Sequence, residues 1–108
     1  MRLSAGDLRH VVTLQQFVVS STDGRGQPVG AWADQFVLRA AVQPVGPKDA
    51  EFVNQLYHEA SHIVLVRHHA EISRDKRLRF GQRTLHIGYA GDLDEEGHTL
   101  RLLCSEVV

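Results

Sequence analysis

His58 and His62 stand four residues apart, with Glu59 directly after the first. This is the H-E-x-x-H spacing with which zinc hydrolases hold a metal and polarise a water. On a helix both imidazoles would reach one ion and Glu59 would serve as the base. The residues that follow argue against that helix. Ile63-Val64-Leu65-Val66 begins immediately after His62, and β-branched side chains favour a strand. The helix would end at its second ligand. Catalytic zinc also needs a third protein ligand, and His68, His69, Glu71 and His86 qualify only by residue type. The better reading places His58, Glu59 and His62 on a loop or strand entry, where they hydrogen-bond or make a pH-sensitive contact. No metal and no cofactor is expected.

The other chemistry-bearing residues form no catalytic set. His68 and His69 are adjacent, so on a strand they point to opposite faces. Cys104 lies in an apolar alternation and reads as a buried, inert thiol. Asp92, Asp94, Glu95 and Glu96 lack the glycine and terminal glutamate of a calcium loop and read as a solvated acidic turn. Gly24 and Gly26 have no lysine-bearing strand-to-helix context, so they make no phosphate loop. Arg74, Lys76, Arg77, Arg79 and Arg83 form a basic cluster that could face phosphate backbone or an acidic partner.

The elements that must position these groups are mostly strands. Residues 8–19 alternate, with Val12 and Leu14 on one face and Val11, Thr13 and Gln15 on the other. Residues 20–31 carry three glycines, a proline and an Asp-Gly pair, and read as a turn or loop. Trp32 opens the next element, in which Phe36, Leu38, Ala40 and Val42 alternate up to Pro44. A short amphipathic helix is expected from Pro47 or Lys48 to about Tyr57, with Phe52, Leu56 and Val53 as its stripe. Ile63 to Arg67 is a third strand. Gly81-Gln82 is a tight-turn candidate between Phe80 and a strand carrying Leu85, Ile87 and Tyr89. Leu100, Leu102 and Cys104 mark the last strand. Five or six short antiparallel strands with one short α-helix and long loops point to a mainly β fold, a small antiparallel β-barrel.

At 108 residues the chain is a single domain, 1–108. A net charge of −1 and a pI near 6.6 carry no bulk electrostatic signature of nucleic-acid binding. One cysteine excludes an internal disulfide framework and a cysteine-rich zinc site. No apolar run approaches the length of a membrane span. The third strand is apolar on both faces, with Val64 and Val66 on one and Ile63 and Leu65 on the other. Such a strand is buried on both faces. In so small a domain a second subunit is expected to cover the outer one, so Val11, Ile63 and Leu65 are the candidate subunit interface.

Six segments in order carry a resemblance. They are Ala5-Gly6-Asp7-Leu8-Arg9-His10 with Val12-Thr13-Leu14-Gln15, then Asp23-Gly24-Arg25-Gly26-Gln27-Pro28-Val29 with Trp32, and Ala40-Ala41-Val42-Gln43-Pro44. The later three are Glu59-Ala60-Ser61-His62-Ile63-Val64-Leu65-Val66-Arg67, Leu78 to Ile87, and Leu100 to Val107. Together they resemble the phage head-tail joining family (head closure, or connector stopper), from whose usual tryptophan and glycine Arg39 and Pro47 depart. The resemblance makes His62 a strand-entry histidine with no metal role.

The resemblance implies a structural virion protein and no enzyme. It implies a homo-oligomeric ring, twelve-fold, beneath the portal and its adaptor. A tail terminator or tail tube protein would dock below, and packaged DNA would fill the lumen without sequence-specific contact. The place of action would be a virion or phage-like particle, with assembly in the bacterial cytoplasm and no membrane; phage, prophage and gene transfer agent all stay open. The gate or lumen loop is placed at Gly46, Pro47, Lys48, Asp49, Glu51, Asn54 and Tyr57. The alternatives are a zinc-dependent hydrolase, which metal analysis separates, and a small β-barrel nucleic-acid binder, which salt-dependent DNA binding separates.

Overall fold

The computed structural model describes residues 8–92 and 98–107. Six strands and one helix follow one another: β1 (His10–Thr22), β2 (Pro28–Pro44), α1 (Ala50–Leu56), β3 (His62–Arg67), β4 (Arg77–Phe80), β5 (Arg83–Asp92) and β6 (Thr99–Val107). All pairs are antiparallel. In the order β1-β2-β3-β6-β5-β4 they close into a barrel, as the sequence indicates. The seam between β1 and β4 is short, pairing Thr13 with Arg79, Leu14 with Leu78 and Gln15 with Arg77.

Alternation fills the barrel. Val12 and Leu14 from β1, Ala40 from β2, Val64 and Val66 from β3, Leu78 from β4, Leu85 and Ile87 from β5, and Leu100, Leu102 and Cys104 from β6 point inward and are buried. Phe36, Leu38, Val42 and Phe80 close the ends of this cluster. Each fully buried aliphatic side chain contributes roughly 1.5–3 kcal/mol of transfer free energy. Gly81-Gln82 makes the β4–β5 hairpin turn, with Phe80 paired to Arg83. Gly81 has φ +62°, which the first central position of a type II′ turn requires.

Four expectations change. Residues 20–31 are mostly strand, and only a tight turn interrupts them. Asp23 Oδ1 accepts the N–H groups of Arg25 and Gln27 at 2.8 and 2.9 Å, which closes the chain on itself at the tip. The flanking residues pair from Thr22–Pro28 down to Phe17–Trp32, so Trp32 lies within β2 and does not open it. In the helix, Val53 alone is buried, while Phe52 and Leu56 remain exposed at its margins. Finally, the outer face of β3 is covered by the chain itself. Val53 of α1 packs with Ile63, Leu65 and Leu103 in a second cluster, flanked by Val45, Tyr57 and Tyr89. Ile63 and Leu65 are therefore 5% exposed, and only Val11 of the three candidate interface residues lies open to solvent. A seven-residue helix is enough to cover two side chains, so no second subunit is needed there.

Candidate functional site

The segment between β2 and β3 is anchored at both ends. The Val45 N–H donates to the Ser61 carbonyl at 3.0 Å, extending the ladder beyond Pro44–His62. Inside that base, the Asp49 N–H donates to the Gly46 carbonyl and α1 begins. Asp49 supplies no side-chain cap bond. Tyr57 ends the helix, its N–H donating to the Val53 carbonyl at 2.8 Å. Its ring then lies against Gly88 of β5, where a β-carbon would collide with ring atoms Cε2 and Cζ. Gly88 is the extra residue of a bulge, because Ile87 pairs with Cys104 and Tyr89 with Leu103. The Tyr57 hydroxyl reaches Ser105 Oγ at 3.1 Å and donates to Glu59 Oε2 at 3.4 Å. A cleft of about 230 Å³ adjoins this contact, lined by Leu56, Arg74, Asp75 and His86 among others.

The histidine motif does not form a metal centre. The helix stops at Leu56, His58 and Glu59 lie in a turn, and His62 opens β3. Both His62 nitrogens are engaged: Nδ1 lies 2.9 Å from Ser61 Oγ and Nε2 lies 2.9 Å from Arg83 Nη2. A guanidinium only donates, so Nε2 is the acceptor and the proton sits on Nδ1. The lone pair a metal would use is already occupied. Arg83 also holds Glu106 through two bonds, Nη2 to Oε1 at 2.8 Å and Nε to Oε2 at 3.0 Å. That bond with Arg83 lowers the Glu106 carboxyl below its usual range. Among the described residues no three metal-ligating side chains come together. Of the suggested third ligands, His69 packs at a tilt against Phe36 and accepts the Glu71 N–H, and His86 lines the Tyr57 cleft. Cys104 is interior, and burial pushes its thiol up to about 12. Of the acidic loop, Asp94, Glu95 and Glu96 lie outside the described residues.

The basic cluster is dispersed. Lys76 pairs with Glu71 at 3.4 Å and Arg83 with Glu106. Arg77 Nε donates to Gln15 Oε1 at 2.7 Å, and its guanidinium sits 4.4 Å from the Trp32 ring centroid. Arg74 and Arg79 point to solvent.

The most prominent surface feature was not among the expected site residues. Among the described residues, β1 has no partner but β2 beyond Gln15, and β2 has no partner but β1 before Ala40. The two strands project as a ribbon, which gives the described chain a length of 49 Å against a width of 28 Å. Every residue from Phe17 to Ala31 is exposed, and Phe17, Val18, Val19 and Val29 among them are large and apolar. At its root Phe17 meets Trp32 edge-on at 5.6 Å, and Arg77 clamps Trp32 from the barrel side. Alternation places Phe17 on the outer face that also carries Val11 and Val37, 54% and 64% exposed. Part of the signal was present in the sequence, since Phe17 and Val18 stand opposite Trp32 and Ala31 about the Asp23-Gly24 turn, although the glycines and proline between them read as a loop.

A family profile for phage head completion proteins matches residues 3–107. Two solved structures share the fold. A protein of Shigella flexneri 2a, determined in solution, superposes with a TM-score of 0.74 at 24% identity, covering 96% of each chain. A chain from the virion of a native gene transfer agent particle superposes with a TM-score of 0.68 at 23% identity, covering 94% of this chain and 96% of that one. The search among curated proteins finds no match.

Proposed function

The chain belongs to the phage head completion protein family, and from that premise we propose that it forms a ring of identical copies that closes the DNA-filled head. In this reading the ring, twelve-fold, sits under the portal and its adaptor and presents its lower surface to a tail terminator or tail tube protein. The projecting ribbon is the observation that carries the proposal. Fifteen consecutive exposed residues, several large and apolar, add almost nothing to the barrel's own core. Apolar surface of that kind is retained for contact with other proteins. A cyclic ring brings two different faces of each subunit together. The outer face with Val11, Val37, Phe17 and Trp32 supplies one of them.

The Gly46–Tyr57 segment is the gate or lumen element of this reading, carrying Lys48, Asp49, Glu51 and Asn54 to the surface. Arg74 and Arg79 are the cations of the basic cluster left for phosphate contact, which needs no base recognition. The chain acts as a structural part and performs no catalysis.

The test is complementation of particles made without this protein. Purified chain added to filled, tailless heads should protect their DNA from nuclease and allow tails to attach. Heads that keep their DNA and accept tails equally well without it would overturn the proposal. For the gate, deletion of residues 47–57 should permit ring assembly and let DNA escape; full retention would refute that assignment.

A further inference from the structure

We infer that residues 46–60 are a flap that opens as one body from the intact barrel, with Tyr57 seated on Gly88 as its latch. This goes beyond the gate assignment, because it concerns the free chain and holds whether or not the segment faces a lumen.

The hinge is defined first. Val45 bonds Ser61, and the Ser61 N–H in turn donates to the Cys104 carbonyl at 2.8 Å. The Ser61 hydroxyl accepts the Glu106 N–H at 2.9 Å as well. The ends of the segment are thus fixed in the sheet and close together, while everything between them is an excursion over the outer surface.

Three contacts hold the excursion down. Val53, 1% exposed, enters the outer cluster with Ile63, Leu65 and Leu103. Phe52 lies under the Arg101 guanidinium, 4.4 Å from the ring centroid to the charge centre. Tyr57 covers Gly88 and bonds Ser105. The helix between them has seven residues and no side-chain cap, too short to persist without its tertiary contacts. Release of the contacts therefore releases the whole segment.

The barrel interior does not depend on them. None of the inward-facing residues of the main cluster belongs to the flap, and the flap's anchors belong to a separate cluster on the other side of β3 and β6. Opening leaves the interior packed and uncovers Ile63, Leu65 and Leu103. The bulge explains the latch geometry: β5 spends one extra residue to bring a side-chain-free position beneath the tyrosine.

The test is amide hydrogen exchange on the full chain, comparing the Val53, Tyr57 and Ala60 amides with those of Leu14, Leu78 and Leu85. In the wild type the first group should exchange together and faster than the second. Gly88→Ala should speed the flap amides about ten-fold or more and leave the barrel amides unchanged. Tyr57→Ala, which leaves β5 untouched, should do the same even if Gly88→Ala fails to fold. Tyr57→Phe keeps the ring and should have a smaller effect. Flap and barrel amides that exchange at one common rate in the wild type would overturn the inference. So would unchanged flap protection in Tyr57→Ala, or loss of protection throughout the barrel.

Discussion

Removal of the ribbon separates the stability of this fold from its purpose. Residues 18–31 can be replaced by Asn-Gly, a two-residue turn suited to joining the paired residues Phe17 and Trp32. All of the residues removed are exposed, with Val18, Val19 and Val29 at 45%, 54% and 44%. A two-stranded ribbon is at best marginally stable by itself, and a shorter connection lowers the entropy of closure only slightly. The net change in unfolding free energy should stay within about 1 kcal/mol. Leu14→Ala is the internal control: that side chain is fully buried, and its truncation should cost about 2–5 kcal/mol. Urea unfolding followed by circular dichroism measures both. The shortened chain should unfold near the wild-type midpoint, yet fail to rescue particles lacking the protein. A loss above about 2 kcal/mol would show that the ribbon supports the barrel and would refute this division of labour. Full rescue by a stable shortened chain would refute the contact role.

Two further outcomes follow from titrating groups. With its thiol near 12, Cys104 is thiolate in about one molecule in ten thousand at pH 8, against about one in ten at the ordinary value of 9.0; labelling by a thiol reagent should be at least about a thousand-fold slower in the native chain than in urea, and rapid native labelling would contradict the burial. Because bonding to Arg83 lowers the Glu106 carboxyl, its stabilisation is present above the unfolded value and disappears as pH falls through the folded one; Glu106→Gln should shift the urea midpoint at pH 7, the shift should shrink as pH falls into the acid range, and a shift independent of pH would exclude the ion pair as the cause.

The barrel was legible because its strands alternate. Val12 and Leu14, Val64 and Val66, Leu85 and Ile87, and Leu102 and Cys104 were each readable as one inward face, and each is buried. The failed zinc context was legible as well, since four apolar residues after His62 cannot continue the helix and build a strand at once. The cover over Ile63 and Leu65 was not legible. Nothing in the spacing of the helix says that Val53 enters the sheet's outer cluster while Phe52 and Leu56 stay exposed, because all three are apolar and the orientation is set by Gly88 and Arg101, far along the chain. The ribbon was hidden by composition. Gly24, Gly26, Pro28 and Gly30 mark a loop, although Pro28 sits at a strand's first residue, where its missing N–H is tolerated. The basic cluster was misleading for a related reason: adjacency in sequence gathered Lys76, Arg77 and Arg83, whereas the strands hand each of them a different partner.

The three-pair seam between β1 and β4 has a kinetic consequence. Gln15 and Arg77 meet across a sequence separation of 62, whereas β1 finds β2, and β4 finds β5, through short turns. Loop entropy orders these events, with the hairpins first and the distant union last. The nascent chain should therefore pass through an open sheet with two raw edges before the cylinder seals, and refolding should be slow, on the order of milliseconds to seconds. Substitutions at Thr13, Gln15 or Arg79 should act mainly on the refolding rate if that union limits it.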